Sequence, residues 1–220
     1  MEEEDSKKEG KINNKGVIKS KDIPIIQKAI CKFDGAVKGT GFYLKIPYKE
    51  KYIMALLTCN HVLKIDKNLS TLYYYNRNEK KHLDLKDRPF WESNPKELDY
   101  TCIQILEKDN IKDFLEIDKN ILNENYPLKN IQSIQIFNYD YEQSVGKIQI
   151  QEEQNKYIRY DCNTDYGWSG APVLTNNCLL IGVHNGYVDK GTKVNKGINI
   201  RYIINDIIRQ IEEDNSKKKQ

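Results

Sequence analysis

Short apolar runs broken by turn residues set the strongest limit on how this chain folds. Residues 29–33, 39–46, 52–58, 72–75, 82–85 and 100–106 are rich in aromatic and β-branched side chains or alternate apolar with polar. Residues 131–137, 145–150, 157–160 and 179–184 repeat the rhythm. Glycine, asparagine, proline and charged residues separate them. The gaps lack the long helical patterns that parallel crossovers need, so the pattern predicts antiparallel barrels rather than βαβ units. Residues 107–129 read as a polar connection between two halves, with a helical turn over 111–117. The chain end differs: Asn199 is placed to cap a helix whose Ile203, Ile204, Ile207, Ile208 and Ile211 share one face.

One interruption has a composition of its own, Asp165-Tyr166-Gly167-Trp168-Ser169-Gly170-Ala171-Pro172-Val173-Leu174. A glycine two residues before a serine allows a tight turn. The N–H groups of Gly167 and Ser169 then point at one spot and form an oxyanion hole for a tetrahedral acyl-transfer intermediate. Gly170 leaves room behind the serine for a general base. A serine needs such a base near neutral pH, because its free alkoxide is inaccessible. Two upstream stretches supply the partners. Thr58-Cys59-Asn60-His61-Val62-Leu63 puts a histidine after an apolar run, and Glu97-Leu98-Asp99-Tyr100-Thr101 puts an aspartate at the mouth of another. The order His61, Asp99, Ser169 is one of the known orders of a Ser-His-Asp triad. In that reading Ser169 is the nucleophile, His61 the base and then the acid, and Asp99 the group that fixes the imidazole tautomer.

These pieces, with Gly39-Thr40-Gly41-Phe42 and Ile181-Gly182-Val183-His184-Asn185-Gly186, resemble the chymotrypsin-like serine proteases, and within them the bacterial glutamyl endopeptidases. The resemblance implies an all-β fold of two antiparallel six-stranded β-barrels with a C-terminal α-helix. Residues 23–120 would form the first barrel, carrying His61 and Asp99; residues 121–214 would form the second, carrying Ser169 and the helix. It implies a trypsin-like serine endopeptidase acting through an acyl-enzyme. It also implies an S1 pocket lined by Asn163, Thr164, His184 and Gly186. Thr164 and His184 stand where glutamyl endopeptidases and glutamine-cutting viral cysteine proteases carry a hydroxyl residue and a histidine. Such neutral donors suit a carboxylate or an amide oxygen, so the expected P1 residue is glutamate, then glutamine. A histidine titrating near neutrality would shift that preference with pH. Trypsin-type enzymes carry an aspartate directly before the nucleophile; Trp168 stands there, so their N-terminal activation switch is absent. A protein-binding module that keeps the triad is the alternative.

Composition excludes several other classes. Lys and Arg number 35 against 32 Asp and Glu, and this even mixing gives no basic face for nucleic acid or an anionic membrane. No run approaches the roughly 20 apolar residues of a membrane span, and residues 1–21 carry no apolar signal core. Five cysteines lack C-x-x-C spacing and read as free thiols in a reducing, cytoplasmic setting. Cys59 and Cys162 lie near the site and read as small buried hydrophobes. His82, among polar neighbours, reads as a solvent-facing strand residue. No metal or cofactor is implied. The expected partners are a protein or peptide substrate and a regulatory partner that restrains the activity. Residues 1–22 and 215–220 read as disordered tails.

Overall fold

Ile23–Ala29 forms a short helix, α1, so Ala29 ends a helix where the sequence pattern suggests the start of a strand. The computed structural model describes residues 23–66, 69–149, 156–188 and 194–218. The expected N-terminal tail lies outside the described residues.

Strands β1 (Ile30–Asp34), β2 (Lys38–Tyr48), β3 (Lys51–Thr58), β4 (Thr71–Asn76), β5 (Glu79–Asp84), β6 (Phe90–Ser93) and β7 (Tyr100–Gln104) make one curled antiparallel sheet, in the order β5-β4-β1-β2-β3-β7-β6. A second contains β8 (Ile134–Phe137), β9 (Gln143–Gly146), β10 (Ile148–Gln149), β11 (Tyr157–Tyr160), β12 (Pro172–Thr175), β13 (Leu180–Tyr187) and β14 (Asn195–Asn199), in the order β10-β11-β14-β13-β12-β8-β9. Among the described residues, each sheet has seven strands rather than the expected six. In the first, β6 is the addition: Pro89 and Pro95 suggest a loop, yet the residues between pair with β7 and bury Trp91 and Ser93. In the second, the 145–150 run splits into β9 and β10, and β14 ends on the helix cap, Asn199.

The connection is not helical where a turn is expected at 111–117. Leu115 bridges to Leu44 on β2 and Ile117 to Leu180 on β13. Leu115 N–H donates to the Tyr43 carbonyl at 2.9 Å, and Leu180 N–H to that of Glu116 at 2.8 Å. Two sheets thus supply the partners that an isolated helical turn would have to find within itself. One hydrophobic cluster runs through both halves, from Phe42 and Leu57 to Val173 and Val183; a second, around Phe33, Tyr74 and Leu83, fills the first barrel alone.

Helix α2 (Ile200–Lys217) begins where the Asn199 side chain accepts from the Arg201 N–H. It buries Ile200, Ile203, Ile204 and Ile207 and half-buries Ile208 and Ile211. It continues through residues 215–217, part of the segment expected to fray. The helix also reaches the first sheet. Tyr100 OH donates to Asp206 Oδ2 at 2.6 Å, and Gln210 Nε2 donates to Tyr100 OH at 3.0 Å and to the Glu92 carbonyl at 3.2 Å. Burial works against the charge on Asp206, but bonds from Tyr100, Arg209 and Gln210 outweigh it and hold the carboxyl below its ordinary value of 3.8. Asp206→Ala is expected to cost about 2 kcal/mol in urea unfolding, the range for a charged hydrogen bond. Because the folded pKa is lowered, wild type keeps this contribution above the unfolded value and loses it as pH falls through the folded one. The wild-type and variant curves should therefore converge in acid.

Candidate active site

His61 and Asp99 meet because β3 and β7 are neighbours. Thr58 pairs with Thr101, so the turn after β3 and the turn before β7 lie at the same end of the sheet. The β3 turn closes through the N–H groups of Val62 and Leu63, both donating to the Cys59 carbonyl, at 3.1 and 3.0 Å. Asn60 Nδ2 donates to Thr101 Oγ1 at 3.0 Å, and Thr101 Oγ1 donates to the Leu63 carbonyl at 2.6 Å. Asp99 adopts φ 45°, in the left-handed region that aspartate tolerates better than most residues. Its carboxylate takes both groups His61 offers: the backbone N–H at 3.0 Å and ring Nδ1 at 2.6 Å. With Nδ1–H donating to Asp99, Nε2 is the nitrogen left to accept a proton. Asp99 is buried and His61 half-buried, so the pair is desolvated on one side and open on the other.

The Ser169 loop crosses from the second sheet to this place. Thr40 N–H donates to the Ser169 carbonyl at 2.8 Å, and Thr40 Oγ1 to that of Gly167 at 2.9 Å. A methyl group on Gly39 would lie 2.5 Å from Val62, the neighbour of His61, and 3.0 Å from the Ser169 carbonyl. On the other flank, Gly170 N–H donates to the His184 carbonyl and His184 N–H to that of Ala171, both at 2.8 Å. Gly167 and Gly170 have φ 90° and 85°, which explains why both positions are glycine. Among the described residues, the N–H groups of Gly167 and Ser169 donate to no protein acceptor.

Of the residues expected in S1, His184 and Thr164 are buried, Gly186 is half-buried and Asn163 is exposed. Gly186 has φ 120°, at a register shift in β13, and a methyl group there would meet nothing within 4 Å. Tyr160 OH and His184 Nδ1 are 2.7 Å apart. Burial holds the phenol well above its ordinary range, and it has no other partner among the described residues, so we assign it as donor to Nδ1. The N–H of His184 then sits on Nε2. Burial, with a smaller push from His61, lowers the pKa of His184 from 6.5 to about 3. The expectation that it titrates near neutrality is therefore corrected: a histidine enclosed against a phenol stays neutral.

The sequence motifs assign no role to three contributors, although Thr40 and Asn185 lie within them. Asn185 Nδ2 donates to Asp99 Oδ2, so the second barrel reaches the carboxylate that orients His61. Strand alternation sends Asn185 away from the His184 face, the one signal available for it. Tyr160 fixes the His184 tautomer. Thr40 links the Gly167 peptide to Tyr139, whose N–H donates to Thr40 Oγ1 at 3.2 Å. Cys59, His61 and Asp99 also offer metal-type donor atoms within 4.8 Å of one another. Burial, then the Asp99 charge, keeps the Cys59 thiol protonated, and it donates to the His184 carbonyl at 3.3 Å. That donor set suits a hydrogen-bonded pair better than a cation.

The architecture is the two-barrel chymotrypsin-like fold, with the His61–Asp99 pair and the Ser169 loop meeting where the barrels join. No family model matches the chain. Among solved structures, it is similar to an inactive form of Rv3671c from M. tuberculosis H37Rv, with a TM-score of 0.62 at 12% identity, covering 87% of this chain and 91% of that one. It is also similar to the serine protease domain of Sesbania mosaic virus polyprotein, with a TM-score of 0.54 at 18% identity, covering 81% and 91%. Among curated proteins, 49 residues are 41% identical to a polyprotein of Southern cowpea mosaic virus, covering 22% of this chain and 8% of that protein. The match thus takes in under a tenth of the length of its curated relative. No helix among the described residues is long and apolar enough to cross a membrane.

Proposed function

We propose that the chain is a serine endopeptidase that forms an acyl-enzyme on Ser169 and prefers glutamate, then glutamine, at P1. The supporting observation is the doubly bonded His61–Asp99 pair beside a loop whose Gly167 and Ser169 amides have no protein acceptor among the described residues. In this reading His61 Nε2 takes the Ser169 proton as Oγ attacks the scissile carbonyl. The two free amides receive the developing oxyanion. His61 passes the proton to the leaving amine, and water then releases the acyl group by the same route. Asp99, held by Asn185, stabilises the imidazolium without taking its proton. Serine proteases among the similar structures support this reading, and viral polyproteins among the similar sequences are compatible with it. All five cysteines are free thiols, four of them buried, which fits a reducing compartment such as the cytoplasm.

The P1 reading rests on buried Thr164 and on His184, whose Nε2–H is a donor that carries no charge. A fluorophosphonate probe should label wild type, with the adduct mapped to Ser169. Cleavage of a denatured proteome should give cuts after glutamate. Cuts after lysine, arginine or large aromatics would refute the P1 assignment, while an unlabelled protein that cleaves nothing favours the binding module. His184→Ala should weaken the glutamate preference roughly tenfold or more, the value of one hydrogen bond to a charged group. Because His184 stays neutral down to about 3, the glutamate-to-glutamine ratio should be flat between pH ~6 and ~9. A ratio that changes severalfold in that window would show that His184 titrates there. The same lowered pKa carries a stability term. The unfolded chain binds a proton at His184 below about 6.5 and the folded chain does not, so this term is fully favourable above 6.5 and declines as pH falls toward 3.

A further inference from the structure

We propose that a pocket beside Tyr139 binds an acidic side chain on the leaving-group side of a peptide substrate. The orientation rests on the proteolytic reading, whereas the chemistry rests on the pocket itself. The cavity, of about 250 Å³, opens where the barrels meet. Lys32, Asp34, Tyr75 and Arg77 line it from the first barrel, Tyr139 and Tyr141 from the second. It falls below the roughly 300–1,000 Å³ of sites for drug-sized ligands and suits a single side chain.

Topology gives the side. In the second sheet β12, which follows the Ser169 loop, has β13 on one flank and β8 with β9 on the other. His184 belongs to β13, whereas Tyr139 and Tyr141 belong to the turn between β8 and β9. The pocket and the P1 candidates therefore flank the nucleophile loop on opposite sides. They are also continuous with that loop, because a methyl group on Gly167 would lie 2.7 Å from the Tyr139 ring and hydroxyl. A peptide whose P1 side chain points to His184 runs its leaving half past Tyr139.

Charge gives the ligand. Among the described residues, neither Lys32 nor Arg77 has a carboxylate within ion-pair distance, and Lys32 Nζ lies 4.7 Å from the Tyr139 ring centroid. Asp34, the one acid in the wall, faces Lys38 at 3.8 Å. Two cations and three tyrosines line one cavity. A carboxylate is the side chain that accepts from both kinds.

The test uses full-length protein and peptides with glutamate at P1 and Asp, Ala or Lys at each of the first three positions beyond the scissile bond. One arm measures kcat/KM with wild type. The other measures binding of the same peptides to Ser169→Ala by fluorescence anisotropy, at low and high salt. At one of those positions aspartate should be favoured over lysine roughly fivefold or more in both arms, the effect expected of two partly exposed cations, and high salt should shrink it. Lys32→Glu combined with Arg77→Glu should reverse the ratio. Equal treatment of Asp and Lys at all three positions, or an acidic preference unchanged in the double variant, overturns the proposal. Binding with the acidic preference but no cleavage by wild type would reject the protease reading and keep the pocket. Cleavage without the preference would do the opposite.

Discussion

Ser169→Ala should lower kcat/KM by roughly 10⁴-fold or more and abolish fluorophosphonate labelling, while the urea midpoint stays at the wild-type value. The two halves of this result have separate causes. The loop is held by main-chain bonds from Thr40, from Gly170 to His184 and from His184 to Ala171, and none of them involves the Ser169 side chain. Removing a half-buried hydroxyl with no partner among the described residues leaves that frame in place. The proposed chemistry, by contrast, loses the atom that forms the acyl bond. His61→Ala should fall to a similar floor, and the double variant should be little worse than either single one, because the residues act as a unit. Additive losses, or residual cleavage by Ser169→Ala near the wild-type rate, would point to a nucleophile elsewhere.

The nearness of His61, Asp99 and the Ser169 loop was legible because the proposed triad needs particular residue types at strand ends, and strand ends show in sequence as the edges of apolar runs. The α2 face was legible for a similar reason, since Asn199 caps and the isoleucines recur at helical spacing. What stayed hidden depends on partners far along the chain. β6 lies between prolines, and only pairing with β7 makes it a strand. Residues 111–117 space their apolar side chains like a helical turn, but β2 and β13 bind their backbone groups first. Asn185 acquires its position at Asp99 across 86 residues of sequence. The pKa of His184 follows from enclosure and from the nearby His61, and its tautomer from Tyr160, none of which a strand pattern reports. Local rules fix identity and spacing, while burial and contacts across the two barrels fix protonation and orientation.

Gly170→Ala should destabilise the protein by roughly 3 kcal/mol or more, and its activity should fall further than its stability. Gly170 has φ 85°, and a methyl group there would lie 2.1 Å from the Thr40 carbonyl oxygen, 2.4 Å from Thr58 Oγ1 and 3.2 Å from the Cys59 nitrogen. None of these is the free end of a flexible side chain. Thr58 Oγ1 donates to that same Thr40 carbonyl at 2.7 Å, so the methyl group would force itself into an existing bond at the seam between the barrels. The loop would have to withdraw, carrying Ser169 away from the turn that holds His61. A displacement of about 1 Å at a reacting atom costs on the order of 10²-fold in rate. Gly186→Ala separates the two causes of damage. Its φ of 120° is also a conformation that alanine avoids, yet a methyl group there meets nothing within 4 Å. It should therefore lose only the backbone term, about 1–3 kcal/mol. Urea unfolding of the two variants side by side measures the difference. Equal losses at both positions would mean that strain at positive φ, and not the close approach of the two barrels, is what requires glycine after Ser169.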